Sequence, residues 1–369
     1  MMQSTGVWPE ENSGVINKIK YIFSVTMCIG LVVTMSIEVA HHYKDFVKLS
    51  ETLYIMITIT GYLVKQISLT YNTKTFLKII EFLRDPIFLS YPYELDHYMV
   101  KTVRQSTFIA NMYRYIVGCC VVLFFVYPMV DHKSLPFPFP LELGVYRYFM
   151  YAFQIVALGI GAWNNSSIDT ITTSLMGITA AQLDILYEKI IYIQNEAPES
   201  DDNEDKNVLK VLRQFVEHHN AIIHLIESVE EVFTVGLFAQ FTCSIIVICN
   251  TVFYIIVIAT INSQFIMLLN YIIILVIQLF MYCWYGNEIM LKSVQLGEAC
   301  YKIDWYNRDK SVGQFLFIIM ERSKRPLTVT TVKLSTLSLT AFKSLLQWSY
   351  SCLALLLKKY QEPNNEQKI

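Results

Sequence analysis

The run from Val232 to Asn287 contains no charged residue. A membrane-spanning helix needs about 20 mostly apolar residues, so this run is long enough to cross a bilayer twice. The polar knot Asn262-Ser263-Gln264 marks the place where the chain can turn between the two crossings. The run therefore predicts two adjacent transmembrane helices rather than the core of a water-soluble domain.

Apolar stretches of similar length recur along the rest of the chain. Hydrophobic residues make up 54% of the sequence and charged residues 16%, and the mean hydropathy is +0.40. This balance indicates an all-α membrane protein, and the small net charge of −2 argues against nucleic acid as a partner. Seven spans are predicted: Tyr21–Ala40, Leu49–Leu69, Phe108–Val130, Val145–Ile168 with a helical extension to Ile185, Val232–Thr260, Phe265–Tyr285 and Leu334–Leu357.

The first span is preceded by Glu10 and Glu11 and lacks a small-x-small cleavage site, so it is expected to be retained. Lysine and arginine are concentrated in the loops 71–104, 184–219 and 287–333. Basic loops favour the cytoplasm, which predicts a cytoplasmic amino terminus and an extracellular carboxyl terminus. A G-protein-coupled receptor has the opposite orientation, and the sequence motifs typical of that class are missing.

The cytoplasmic segments are expected to continue the spans as helices. Val208–Glu231 has an apolar helical face and should extend span five, and Asn287–Trp305 should extend span six, whereas the acidic stretch Glu196–Asp205 is expected to be a disordered loop. The predicted organisation has six parts: spans one to four with a ligand pocket (1–185), a loop and helical approach (186–231), spans five and six (232–286), a cytoplasmic anchor (287–333), span seven (334–358) and an extracellular tail (359–369).

The last span combines leucines at helical spacing with a stripe of serine and glutamine. The order Leu337-Ser338-Leu339, Phe342, Ser349-Tyr350-Ser351 and a leucine run resembles the carboxyl-terminal signature of insect odorant receptors. Further matches are the loop Leu135–Pro140, Gln182-Leu183, His219 and Gly286-Asn287-Glu288. Val332, Leu334 and Cys352-Leu353 depart from the family pattern, and the short fourth loop resembles an odour-tuning subunit rather than the co-receptor.

The resemblance implies a subunit that binds a volatile ligand and opens a non-selective cation channel in a hetero-tetramer with the co-receptor. It also implies a multi-pass protein of the plasma membrane in dendrites of olfactory sensory neurons. In the family the last helix lines the pore, which places Ser351, Leu355 and Lys359 on the pore face and Leu355 at the constriction. A gustatory-type ligand-gated channel is the alternative, and a secondary transporter is disfavoured because repeats are not visible.

An odorant pocket should be an enclosed apolar cavity in the outer halves of spans two, three, four and six. The residue types available there are mostly aromatic and aliphatic, with a few hydroxyl and amide groups. The candidate lining residues are Tyr54, Thr58, Ile59, Tyr62, Ile116, Cys120, Phe124, Tyr148, Tyr151, Ile155, Asn270, Tyr271 and Ile274. Packing within the bundle or an interfacial aromatic belt would explain individual tyrosines equally well.

Few groups in the chain suggest other chemistry. Arg114 and Asp169 lie in or near spans three and four, and we expect them to pair because isolated charges are costly in lipid. His218, His219 and His224 do not share one helix face well, so no metal site is expected. Asn164 and Asn165 form glycosylation sequons inside a span and should be unmodified. Catalytic motifs are missing, so the chain is not expected to be an enzyme or to hold a cofactor.

Overall fold

The fold was analysed in a computed structural model that describes residues 8–9, 14–133, 135–140, 144–196, 204–258, 262–303, 305–307 and 309–366. Most of the predicted acidic loop Glu196–Asp205 lies outside these residues. The helices are α1 (Val15–His41), α2 (Phe46–Tyr71), α3 (Thr73–Phe82), α4 (Pro86–Leu89), α5 (Asp96–Val130), α6 (Arg147–Glu196), α7 (Glu204–Ile258), α8 (Ser263–Tyr301), α9 (Lys310–Ser323) and α10 (Leu339–Glu366). Short 3₁₀ turns lie at Tyr93–Leu95, Gly144–Tyr146 and Trp305–Asn307, and a two-stranded hairpin joins β1 (Thr330–Thr331) to β2 (Ser335–Thr336).

Five helical segments of the described chain are long and apolar enough to cross a bilayer: Val15–His41, Phe46–Tyr71, Tyr93–Val130, Val208–Val257 and Ser263–Tyr301. The helices α6 and α10 are also long but carry more polar residues. In α6 the polar residues are buried, among them Asp169, Thr172 and Gln182. In α10 several polar residues face outward instead, among them Gln347 and Ser351. Polar residues lower the mean hydropathy of both helices, but these residues face the interior of the bundle in α6 and the outside in α10.

The helical extensions predicted from the sequence are present. The helix α7 runs without a break from the segment 204–231 into span five, and α8 continues beyond span six to Tyr301. The predicted turn at Asn262 is also confirmed, because the Asn262 side chain caps α8 by accepting a hydrogen bond from the Phe265 backbone N–H at 3.0 Å.

The start of span seven differs from the prediction. The sequence placed it at Leu334, whereas α10 begins at Leu339 because residues 330–336 form the β hairpin. Ser338 precedes the helix, and its hydroxyl accepts a hydrogen bond from the Ala341 backbone N–H at 3.2 Å. A local cap and a strand pairing therefore take precedence over the apolar pattern of this segment.

The helices α2, α5, α6 and α8 surround the centre of the bundle. The helix α2 packs along α7, and α6 contacts α5, α7 and α8. The helix α10 contacts α7 and α8 and leaves the rest of its surface open. The described residues of the three basic loops lie at one end of the bundle, which we call the basic end. Residues 135–140, between α5 and α6, lie at the opposite end.

Candidate ligand cavity and exposed helix

A cavity of about 70 Å³ lies between α2, α5, α6 and α8, in the half of the bundle away from the basic end. This volume is enough for more than one water molecule and suits a compact organic ligand. The walls are mainly aliphatic and aromatic, as expected of a site for an apolar small molecule. The lining residues are Ile55, Thr58, Ile59, Tyr62, Tyr113, Val117, Cys120, Val121, Phe124, Leu158, Gly161, Ala162, Asn165, Tyr271, Ile274, Leu275 and Gln278.

Aromatic rings form the side of the cavity nearest the α5–α6 loop. The Tyr271 ring packs edge-on against Phe124, with centroids 6.3 Å apart, and Phe124 lies 5.6 Å from Phe137 of the loop. Gln154 fixes Phe137 by accepting from its backbone N–H and donating to its carbonyl, both at 3.1 Å. The Tyr127 hydroxyl donates to the Pro136 carbonyl. The proline-rich loop is therefore a fixed cover over this end of the cavity.

Polar groups are concentrated at the opposite end of the cavity, around Asp169. This carboxylate is fully buried and accepts hydrogen bonds from Tyr282 at 2.6 Å, from Tyr113 at 3.3 Å and from Gln278. Gln278 in turn accepts a hydrogen bond from Gln240 of α7 at 2.9 Å. Because Tyr113 and Gln278 also line the cavity, the Asp169 cluster forms its floor.

Lys65 neutralises the buried carboxylate. Its Nζ lies 2.7 Å from Asp169 Oδ1, and the lysine side chain is only 3% exposed. The same ammonium donates to Asn165 Oδ1 at 3.0 Å and lies over the Tyr282 ring. A charge inside a membrane bundle is costly unless it is paired and hydrogen-bonded, and both requirements are met here.

The predicted pairing of Arg114 with Asp169 is wrong. Arg114 donates instead to Thr170 Oγ1 at 3.2 Å and to Asn111 Oδ1 at 3.4 Å. The reason is geometric: Asp169 points into the bundle centre, where Lys65 of α2 reaches it, whereas Thr170, its neighbour on α6, is the residue that Arg114 contacts. A lysine in the middle of span two was the sequence signal for the correct partner.

The helix α10 presents a different surface. On its inner side, Leu353 of α10 packs against Cys249 and Phe253 of α7. The centroid of the Phe253 ring lies 5.5 Å from that of Tyr360 of α10. Its outer side carries Ser351, Leu355 and Lys359, which are all exposed and follow one another at intervals of four residues. Leu355 is 71% exposed. The three predicted pore residues therefore share one open face.

The chain is similar in sequence and in fold to known proteins. A sequence model described as 7tm Odorant receptor matches residues 45–350 of the chain. The chain belongs to the 7tm odorant receptor family. Relatives include odorant receptor 22c of Drosophila melanogaster, 33% identical over 39% of this chain and 36% of that protein. Odorant receptor 46a, isoform A, of the same fly is 26% identical over 57% of this chain and 54% of the relative.

Odorant receptor 10 of Aedes albopictus is 28% identical over 43% of this chain and 42% of its own length, so these matches span about half of the relatives or less. The solved structure of the insect olfactory receptor OR5 from Machilis hrabei in complex with eugenol has the same fold. It superimposes with a TM-score of 0.84 at 16% identity and covers 97% of this chain and 95% of that one. The receptor is therefore an all-α membrane protein with the seven-helix fold, and members of its family are receptors rather than enzymes.

The cavity of this odorant receptor contains part of the predicted ligand set. The members that line it are Thr58, Ile59, Tyr62, Cys120, Phe124, Tyr271 and Ile274. Tyr54 lies just behind the wall, with its ring 5.4 Å from that of Tyr271. Ile116 and Ile155 pack against the core, and the Tyr151 hydroxyl donates to the Phe125 carbonyl. Asn270 has a buried Oδ1 that finds no hydrogen-bond partner among the residues that the structure describes. Tyr148 lies on the surface, where it is 74% exposed.

Sequence reasoning missed the polar floor of the cavity. Tyr113, Asn165 and Gln278 line it, but none of them was among the candidate residues. Gln278 stands in the charge-free run, and a glutamine within such a run is a signal of an interior polar contact. The glycine and alanine at positions 161 and 162 were also missed; they bring the backbone of α6 close to the cavity.

Other polar residues of the receptor have local packing roles. Asn164, one of the two sequon asparagines, is buried and donates to Ser24 at 2.9 Å and Tyr62 at 3.2 Å. At the basic end the His218 ring bonds Gln182 at 3.0 Å and packs edge-on against Phe88, whereas His224 packs against Phe82. The described cysteines are all free.

Proposed function

We propose that this receptor is an odour-tuning subunit that binds a small volatile compound in the cavity between α2, α5, α6 and α8. Ligand binding opens a non-selective cation pore shared with subunits of the insect odorant co-receptor. The observation that carries the proposal is the mainly apolar cavity with polar groups concentrated at one end, in a member of the odorant receptor family. Such a cavity suits a small neutral ligand that partitions from air into lipid.

The eugenol complex of the Machilis hrabei receptor supports the ligand class, because a protein of the same fold holds a small aromatic compound. In the present chain, Phe124 and Tyr271 offer aromatic surface of the kind that packs against such a molecule. The energy available is limited to the burial of a small apolar area, at about 25 cal/mol per Å². Modest affinity is the expected consequence.

The pore is proposed to form where the open faces of α10 from several subunits meet. Leu355 would supply an apolar ring that stops ion flow by excluding water, and Ser351 would line the wetter part of the pore. A ring made only of Lys359 side chains would repel cations, which favours mixed assembly with a different subunit. The proposed orientation places the basic end in the cytoplasm and the cavity toward the outside.

The helix α8 provides a physical link between cavity and pore. Tyr271, Ile274 and Gln278 line the cavity, and Phe280, just after Gln278 on the same helix, packs against Phe342 of α10 with ring centroids 5.7 Å apart. Below this contact Gly286 allows Leu337 to lie directly against the α8 backbone. A ligand that binds the open arrangement more tightly would shift the population of α8 and α10 toward it.

The test is to co-express the receptor with the insect co-receptor in a voltage-clamped cell and apply a broad panel of volatiles. We expect an inward cation current that needs both subunits, at the plasma membrane, as in the dendrite of an olfactory neuron. Cells with the co-receptor alone and with the receptor alone are the controls. If the receptor reaches the surface and the panel evokes no current beyond that of the co-receptor alone, the proposed channel function is wrong.

A further inference from the structure

The side chain of Asn165 occupies the polar end of the cavity in a fixed orientation. Its Oδ1 accepts a hydrogen bond from Lys65 Nζ at 3.0 Å. A lysine ammonium has three donors and no acceptor, so only the oxygen of the asparagine amide can face it. The amide nitrogen, with its two N–H groups, must then point away from Lys65. Asn165 itself is one of the residues that line the cavity.

The Asn165 amide is held in this orientation by a buried residue, Lys65. Lys65 is 3% exposed and is itself paired with Asp169, one helical turn from Asn165 on α6. Turning the Asn165 amide over would place its N–H groups against the ammonium in a site with little water. The donor is therefore set before any ligand arrives, which lowers the cost of using it.

Other donors at the floor are already in use. Tyr113 and Gln278 donate to Asp169. The carboxylate also receives Lys65 and Tyr282, so its oxygens are occupied as acceptors. Within the part of the chain that the structure describes, Asn165 Nδ2 has no hydrogen-bond partner. The floor thus offers a hydrogen-bond donor to a ligand, and the charges of Lys65 and Asp169 cancel.

We infer that the cavity selects compact neutral ligands with a hydrogen-bond acceptor, such as a ketone, ester or ether, and that Asn165 Nδ2 donates to the ligand oxygen. This inference rests on the proposed function in that it takes the cavity as the odorant site. A carboxylate ligand would gain little binding energy from Lys65, because the lysine is already neutralised by Asp169. A hydrocarbon would leave the Asn165 donor unpaired when water is displaced.

The experiment uses pairs of probes that have nearly the same shape but differ in the acceptor. Acetophenone is compared with α-methylstyrene, and 2-heptanone with 2-methyl-1-heptene, so that a carbonyl oxygen is replaced by a methylene group. Binding is measured as the shift in the thermal unfolding midpoint of the detergent-purified receptor across probe concentrations. Gating is measured separately as current in cells that also express the co-receptor.

We expect at least one ketone to bind the unchanged receptor at least tenfold more tightly than its alkene partner. Asn165→Leu should weaken ketone binding to the alkene level and leave alkene binding the same or tighter. Asn165→Asp is the second variant, because it keeps an acceptor for Lys65 and lacks both N–H groups. It should also remove the preference, so the test survives if the leucine variant fails to fold. Val117→Leu, which reshapes an apolar wall, should change both members of a pair equally.

Equal binding of ketone and alkene, or no midpoint shift with any of the four probes, would overturn the inference. The inference is also wrong if Asn165→Asp retains the preference for the ketone. A midpoint shift that shows the expected preference without any current would support the inference and count against the channel function alone. The failure of one proposal is therefore distinguishable from the failure of the other.

Discussion

The bundle centre around Asp169 and the outer face of α10 place polar groups in opposite surroundings. At the centre, Lys65 and Asp169 are almost completely buried and satisfied by one another and by neighbouring tyrosine and glutamine side chains. On α10, Ser351 and Lys359 lie exposed beside Leu355. The first region is complete within one chain, whereas the second offers a mixed polar and apolar face that one chain leaves uncovered.

The difference indicates which part of the receptor the proposed assembly with other subunits would use. In lipid an exposed polar stripe is unfavourable, because the hydrocarbon offers it no hydrogen-bond partner. A water-filled pore or a neighbouring subunit removes that cost. Changes at the bundle centre should therefore affect folding of the single chain, and changes on the open face of α10 should affect conduction with little effect on folding.

The largest effect is expected at the buried ion pair. Asp169→Leu leaves Lys65 charged and unpaired in the bundle, and breaking a buried pair in this way costs about 3–5 kcal/mol. The expected result is loss of folded receptor, measured as a lower thermal unfolding midpoint in detergent and reduced surface labelling. The double variant Lys65→Met/Asp169→Leu should recover a substantial part of the loss. If the single variant is as stable as the unchanged receptor, the ion pair does not hold the bundle centre together.

Two leucines of α10 test whether folding and the proposed gating depend on different faces of this helix. Leu353 is 9% exposed and packs on α7, so Leu353→Ala should destabilise the receptor by about 2–5 kcal/mol. Leu355→Ala removes an exposed side chain and should change the free energy of unfolding by less than about 0.5 kcal/mol. In cells with the co-receptor it should instead raise the current without ligand, because the proposed apolar constriction would be widened.

Unfolding midpoints and basal currents of the two variants are measured side by side, with surface labelling to correct for expression. The comparison fails if Leu355→Ala lowers the unfolding midpoint as much as Leu353→Ala does. It also fails if basal current is unchanged in Leu355→Ala, since the exposed leucine would then have no role at a constriction.

Sequence patterns predicted the helices well and their mutual contacts less well. The charge-free run from Val232 and the polar knot at Asn262 located α7 and α8, because hydropathy and a capping side chain act locally. The partner of Asp169 could not be found in this way, because it depends on how α2 and α6 are rotated about their axes. The five-residue error at the start of α10 has a similar origin, since the β hairpin is stabilised by contacts with α7.

Seven of the thirteen side chains that the sequence predicted for a ligand site line the cavity. Thr58 and Tyr271, for example, were expected to face a common space and do contact one another across it. Asn165 was considered only as a glycosylation sequon, and its role at the cavity floor depends on Lys65, which lies 100 positions away in the chain. Contacts of this range follow from packing and not from a local pattern.

Two buried histidines at the basic end should make the stability of the receptor sensitive to acid. Burial, with a smaller contribution from Lys189, lowers the pKa of His218 to about 3, and burial lowers that of His219 to about 4. Both values lie below the roughly 6.5 of an unfolded histidine, so the unfolded chain binds more protons. Stability is then complete above about pH 6.5 and falls as the pH decreases toward 4.

The measurement is the unfolding midpoint in detergent between pH 7.5 and pH 5. The midpoint should decrease steadily below about pH 6.5, and His218→Gln should flatten the decrease, because glutamine does not titrate and can still donate to Gln182. His97→Gln, at an exposed histidine, is the matched control and should leave the profile unchanged. An unchanged slope in His218→Gln would show that its protonation is not the source of the acid sensitivity.

The smallest effect is expected in the hairpin that leads into α10. Val332 has a φ of 50°, a left-handed conformation that is unfavourable for a β-branched residue, and its side chain is about half exposed. Val332→Gly should therefore stabilise the receptor by up to about 1 kcal/mol, through relief of a strain of roughly 1–2 kcal/mol offset by the greater freedom of glycine when unfolded. The backbone N–H that bonds Thr234 is retained. The unfolding midpoint should rise by a few degrees at most, and a fall would mean that packing of the valine side chain outweighs the strain at the base of α10.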